Sequence, residues 1–241
     1  MKKSVLVSVA PLRCESSDKS EMVSQALFGE RVEVLEEQHK WSMVRMETDG
    51  YEGWIDYKQL GGISNESEMT TLRNALTRCT LNNGTEVWLP AGAIVSSHVK
   101  TDSIQEAWIG SPNDIERCAL QFLNAPYLWG GRTVLGIDCS GFTQLVMRLN
   151  GITLPRDAYQ QAELGNTINF VVEAQTGDLA FFDNSEGRIV HVGIVLTSAA
   201  AGAAIIHASG SVRLDAIDHQ GIFNQSLGEY THKLRIIKRV L

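Results

Sequence analysis

Cys139 stands in the run Ile137-Asp138-Cys139-Ser140-Gly141-Phe142, where a glycine-bearing loop gives way to an amphipathic helix. A thiol in the first turn of a helix lies among amide N–H groups without intrahelical partners and at the positive end of the helix dipole, which favours the thiolate. Two histidines follow on expected strands, His191 in VHVGIVL and His207 in IIHASG. A thiolate attacks a carbonyl carbon, an imidazole protonates the departing amine, and the backbone N–H of Cys139 would help to hold the oxyanion. These residue types point to amide-bond hydrolysis, with Cys139 as nucleophile, His191 as general base and acid, and His207 fixing the tautomer of His191. Plainer readings stand beside it. Cys139 could be a buried structural thiol, and the two histidines could be hydrogen-bonded structural residues or metal ligands. No HExxH pattern or third acidic ligand at useful spacing supports the last, so no metal or other cofactor is expected.

The neighbouring sequence supplies elements to position these groups. Val190, Val192, Ile194 and Leu196 share one face of a strand, so His191 points to the other, beside Gly193, where no side chain obstructs a ligand. His207 shares its face with Ala203 and Ile205. Cys139 opens a helix in which Phe142, Leu145, Val146 and Leu149 recur at helical spacing, with Gly151 beyond its end. An earlier helix starts at Ser111-Pro112-Asn113, runs through Ile115, Ala119 and Phe122, and ends at Asn124 and Pro126. Strands are expected over 178–182, 190–196, 203–208 and 234–240, and two helices followed by such strands read as α+β. Pro126-Tyr127-Leu128-Trp129-Gly130-Gly131 is a constrained loop whose Tyr127 is an oxyanion donor, a substrate hydroxyl or a half-buried aromatic. Leu154-Pro155-Arg156-Asp157 puts charges in a turn that faces either a cleft or water. His39, His98, His219 and His232 have no comparable setting.

The first sixty residues read differently. Arg31–Leu35 and Trp41–Arg45 alternate, and Gly50–Ile55 follows a Thr48-Asp49-Gly50 turn, as in a small all-β barrel. Ser20–Phe28 reads as a short helix or a loop. Gly61-Gly62 and the polar ISNESEMT stretch resemble a linker. A second β unit follows, with strands at Thr85–Leu89 and Ala93–Ser97 around Pro90-Ala91-Gly92, and Ala107-Trp108-Ile109-Gly110 echoing Gly53-Trp54-Ile55.

Composition narrows the classes. A net charge of -7 over 241 residues, with no Lys/Arg cluster, argues against a nucleic-acid binder. Cys14, Cys79, Cys118 and Cys139 show no paired spacing, so neither a disulfide framework nor a metal knuckle is expected. Lys2-Lys3 before SVLVSVAPL mimics the start of a signal peptide, but the apolar stretch is short and broken by Pro11, and the lipoprotein reading of Cys14 is set aside. No run approaches the roughly 18–20 apolar residues that span a membrane. The chain is therefore expected to be a soluble cytoplasmic protein, or a periplasmic or extracellular one had a leader been removed.

The segments PYLWGG (126–131), DCSGF (138–142), LPRD (154–157), GDLAFF (177–182), HVGI (191–194) and IIHAS (205–209) together resemble the NlpC-type cysteine peptidases of bacterial cell-wall turnover. That resemblance implies a reduced papain-like fold over 112–241, with a Cys139–His191–His207 triad, preceded by bacterial SH3-like barrels at 1–62 and 63–111. It is nearest to γ-D-glutamyl-L-diamino-acid endopeptidases that process released muropeptides with a free N-terminal L-alanine. It implies that Glu21 and Tyr51 hold the substrate ammonium, and that Asp138, Ser140 and Asp157 add polar contacts. A buried carboxylate facing an ammonium would reward the free terminus and reject an acylated one. The expected partners are small peptides such as L-Ala-γ-D-Glu-diaminopimelate, in murein recycling. Two alternatives are a hydrolase of intact cell wall with SH3-like wall-binding modules, and a non-catalytic muropeptide-binding protein.

Overall fold

The computed structural model describes residues 1–63, 68–103, 105, 109–198 and 202–240. The chain divides into two compact units. The first is Met1–Ala107 with Trp129–Val134, and the second is Trp108–Leu128 with Leu135–Leu241.

In the first unit, β1 (Lys2–Val5), β2 (Val9–Arg13), β3 (Met22–Leu27), β4 (Arg31–Gln38), β5 (Trp41–Met46), β6 (Glu52–Asp56) and β7 (Leu60–Gly61) form one antiparallel sheet in the order β3-β2-β6-β5-β4-β1-β7. Its alternating residues Ala10, Leu12, Val32, Val44, Met46 and Ile55 bury a common core. The segment read as helix or loop is strand β3. Ser24–Leu27 are buried without alternation, so no period of two marks the strand in the sequence.

A second barrel does not follow. β8 (Met69–Thr71) pairs with β11 (Ile94–Ser96), while β9 (Leu76–Thr80) pairs with β10 (Glu86–Pro90) and β12 (Lys100–Thr101). These two small sheets cover Leu72, Cys79, Leu89, Ala93 and Val95, a half-barrel whose two- to five-residue strands are too few and too short to close. The supposed echo at Ala107-Trp108 and part of the supposed linker, 64–67, lie outside the described residues. The short strand β13 (Arg132–Thr133) completes the unit. The Arg132 guanidinium donates to both Glu30 carboxylate oxygens, at 3.0 and 3.1 Å, and to the Gln25 carbonyl at 2.6 Å, all buried.

The second unit opens with α1 (Pro112–Leu120), started by a Ser111–Asp114 capping box. Strand β14 (Gly136–Ile137) leads into α2 (Cys139–Leu149), buried from Cys139 to Met147, and a short α3 (Ala158–Gln161) follows. The remaining strands are β15 (Asn166–Ile168), β16 (Leu179–Asp183), β17 (Ile189–Ser198), β18 (Gly202–Ser209), β19 (Ser211–Ile217), β20 (Gly221–Asn224) and β21 (Glu229–Arg239). Their order is β15-β21-β16-β17-β18-β19-β20, and β20 pairs back onto β21, so the antiparallel sheet curls into a ring. Ala180, Phe182, Val195, Ile205, Ile217, Ile222 and Ile237 fill the ring, while α2 packs on β17 and β18. Strands β15, β19 and β20 are absent from the sequence-based expectation. Asp215 takes an inward position in β19 and interrupts its apolar alternation, and β20 has only four residues.

Candidate active site

The curled sheet gathers three imidazoles and a carboxylate. Gly193 of β17 lies opposite His207 of β18, and His207 lies opposite Arg213 of β19, which puts His191, His207 and Asp215 on one face. His191 Nε2 is 2.8 Å from His207 Nδ1, and His207 Nε2 is 3.0 Å from Asp215 Oδ2. Arg213 donates to Asp215 from Nε at 2.6 Å and from a terminal nitrogen at 2.9 Å. His232 of β21 stacks on His191 with ring centroids 4.2 Å apart and planes at 27°. The sequence offers it no such setting, because its place beside His191 comes from the pairing of β21 with β16, strands far apart in the chain.

Strand register also breaks here. β16 and β17 shift register beside His191, β16 and β21 shift beside Phe182, and β20 and β21 shift beside His232. Such bulges re-aim side chains at the rim of a sheet. Gly193 has a role other than the one expected. A Cβ there would lie 2.7 Å from Ile205 Cδ1 and 2.8 Å from His207 Cβ, so the bare backbone makes room for His207.

Cys139 is the first residue of α2, and Asp138 is its N-cap, accepting from the Gly141 N–H at 2.7 Å. Arg156 clamps Asp138 through both carboxylate oxygens, at 3.0 and 2.5 Å, and donates to Ser140 Oγ at 2.9 Å. The charge of consequence in LPRD is thus Arg156, almost wholly buried, while Asp157 precedes α3 and its N–H donates to Gln160 at 3.4 Å. Burial, then the Asp138 charge, push the Cys139 thiol up to about 11 against the pull of the Val192 and Ser140 amides and of Arg156. Burial holds His191 well below its ordinary value and takes His207 down to about 4. The resting pair is a thiol and a neutral imidazole, which suits proton transfer as the nucleophile attacks. Tyr127, pinned by its N–H to the Gly210 carbonyl at 3.0 Å, has its phenol raised to about 12 by burial and then by the Cys139 and Asp138 charges, so it remains a donor.

Glu21 and Tyr51 lie in the first unit. Glu21 is exposed rather than buried, and its carboxylate accepts from the Trp129 indole N–H at 2.6 Å. Tyr51 packs partly against the barrel core. Among the described residues, no group of three or more His, Cys, Asp or Glu side chains is arranged to hold a metal, and no helix is long and apolar enough to cross a membrane.

Residues 124–230 match the NlpC/P60 family, and residues 12–60 match the bacterial dipeptidyl-peptidase SH3 domain. The chain is 32% identical over 202 residues to a γ-D-glutamyl-L-lysine dipeptidyl-peptidase of Bacillus subtilis, covering 71% of this chain and 68% of that one. It is 28% identical over 221 residues to a protein of the same name from Bacillus cereus, covering 75% and 66%. The chain thus spans about two thirds of the length of these relatives. The crystal structure of an NlpC/P60 family protein from Bacillus cereus superposes over all of both chains with a TM-score of 0.79 at 20% identity, a likeness of fold. These matches overturn the expectation of a cytoplasmic protein: peptidoglycan-acting enzymes of this kind are typically exported to the periplasm, the wall or the medium, where the polymer lies.

Proposed function

The chain belongs to the NlpC/P60 family and is a cysteine peptidase, and on that footing we propose that it hydrolyses the γ-D-glutamyl-L-diamino acid bond in peptides of the bacterial cell wall. The observation that carries this reading is the buried constellation in which His191 and His207 are hydrogen-bonded and Cys139 opens α2. Cys139 attacks the γ-carbonyl carbon, its proton passes to His191 and then to the departing amine, and water releases the acyl group from sulfur. The Cys139 N–H and the Tyr127 hydroxyl face the developing oxyanion, and Asp138, Ser140 and Asp157 border the substrate. The SH3-like region serves as the wall-binding module. The working division of the chain stays at 1–62, 63–111 and 112–241.

A second reading is favoured by the name dipeptidyl-peptidase carried by the Bacillus relatives. In it, the substrate has a free N-terminal L-alanine whose ammonium is held by Glu21 and Tyr51. The exposure of Glu21 weakens the penalty for leaving its carboxylate unpaired, so discrimination by this device is modest.

Mass spectrometry of two peptides, L-Ala-γ-D-Glu-diaminopimelate and its N-acetyl form, alongside purified wall, tests both readings. Cleavage of wall and of both peptides supports the first; cleavage of the free-amine peptide alone supports the second. Cys139→Ala should abolish turnover of every substrate while leaving binding largely intact. Cleavage that persists in that variant would remove Cys139 from the mechanism.

A further inference from the structure

Neither histidine orients itself. A neutral imidazole carries one N–H, and which nitrogen bears it is set by the partner of the other. Three groups in line leave a single consistent arrangement. Asp215 receives two hydrogen bonds from Arg213. Burial pushes its carboxyl up, but the Arg213 and His207 hydrogen bonds outweigh burial and leave it below its ordinary value. An ionised carboxylate only accepts, so the 3.0 Å contact requires His207 to donate from Nε2. His207 Nδ1 is then a lone pair, and the 2.8 Å contact requires His191 to donate from Nε2. The nitrogen left unprotonated is His191 Nδ1.

We propose that Asp215, held by Arg213, is a positioning residue that fixes His207 as its Nε2–H tautomer and thereby reserves the Nδ1 lone pair of His191 for the Cys139 thiol. This rests on the cysteine-peptidase reading of Cys139. As the S–C bond forms, the thiol proton moves to His191 Nδ1 and the carbonyl π pair moves to oxygen. The positive charge that appears on His191 is then stabilised through His207 by a carboxylate one ring further away. When the C–N bond breaks, the same proton leaves on the amine. Without Asp215, His207 is free to carry its proton on Nδ1, where it opposes the His191 N–H and turns that ring out of register. A cation on His191 would also lack a counter-charge in a buried setting.

The experiment compares the unaltered 241-residue chain with Asp215→Leu, which neither donates nor accepts, and with Arg213→Gln, which leaves the Asp215–His207 bond available. Nitrogen-15 spectra of the imidazoles read the tautomers, and the rate of Cys139 alkylation by iodoacetamide at neutral pH reads the ease of thiol deprotonation. The intact protein should show a protonated Nε2 and a bare Nδ1 at His207. Asp215→Leu should lose that dominance, slow alkylation and lower kcat roughly 10- to 100-fold, the loss typical of an outer-shell orienting group, with KM little changed. Arg213→Gln should keep the tautomer and lose less. A protonated Nδ1 at His207 in the intact protein overturns the proposal even if no variant folds, as does a folded Asp215→Leu protein with unaltered alkylation. Spectra and alkylation involve no peptide, so a wrong substrate assignment would spoil the kinetics and leave these two readouts intact.

Discussion

A single methyl group tests the closeness of the site. Gly193→Ala would press its Cβ against Ile205 and His207, atoms of a buried core and of the imidazole pair. Displacement of a catalytic group by a fraction of an ångström to 1 Å costs about 10- to 100-fold in rate. We expect kcat to fall by that factor with little change in KM, measured by steady-state kinetics; a variant of unchanged kcat would show that His207 has slack. At this scale the sequence was informative where chemistry is bound to residue type. A thiol at a helix start and two strand histidines are conspicuous on their own. Asp215, Arg156 and His232 were not, since an aspartate in a missed strand, an arginine in a turn and a distant histidine acquire meaning only from their neighbours.

The first turn of α2 is built from charge as much as from apolar packing. Asp138 caps the helix while Arg156 neutralises it, and both are buried. Gln161 of α3 adds a brace, donating to the Ser140 carbonyl at 3.0 Å and to the Pro155 carbonyl at 2.9 Å. Arg156→Leu would leave the Asp138 carboxylate buried with its main counter-charge gone, a loss of about 3–5 kcal/mol. Urea unfolding should show this as a lower midpoint, and Asp138→Asn combined with Arg156→Leu should recover part of it. Equal midpoints for the single variant and the parent would contradict the clamp. Elements with a clean period were readable: α1, α2 and the strands at β16, β17 and β18 fall near their expected places. Strand β3, buried on consecutive residues, and β19, with a charged residue facing inward, carry no such period.

The molecule as a whole should feel acid through its imidazoles. His191, His207 and His232 all titrate below their ordinary value, with burial the leading cause in each. Below pH 6.5 the unfolded chain takes up protons that the native state refuses, so stability present above that value is lost as pH falls toward about 4, the value for His207. Each such histidine contributes a slope of up to about 1.4 kcal/mol per pH unit. Unfolding at pH 7.5, 6 and 5 should show a progressive loss, and His207→Gln should flatten it; a level profile from 7.5 to 5 would deny that these rings are neutral when folded. Patterning divides the chain into three parts, at 1–62, 63–111 and 112–241, and gives no sign of the segment Trp129–Val134, which follows Pro126-Tyr127-Leu128 without a break in the sequence yet belongs to the first unit. That segment bears on inheritance. A recombination that joined genes near codon 111 would carry Arg132 away from Glu30 and Gln25, leaving a buried guanidinium site empty in one descendant and an unmatched cation in the other. The two stretches are therefore not freely interchangeable cassettes: a new N-terminal module would have to bring its own acidic socket for residue 132.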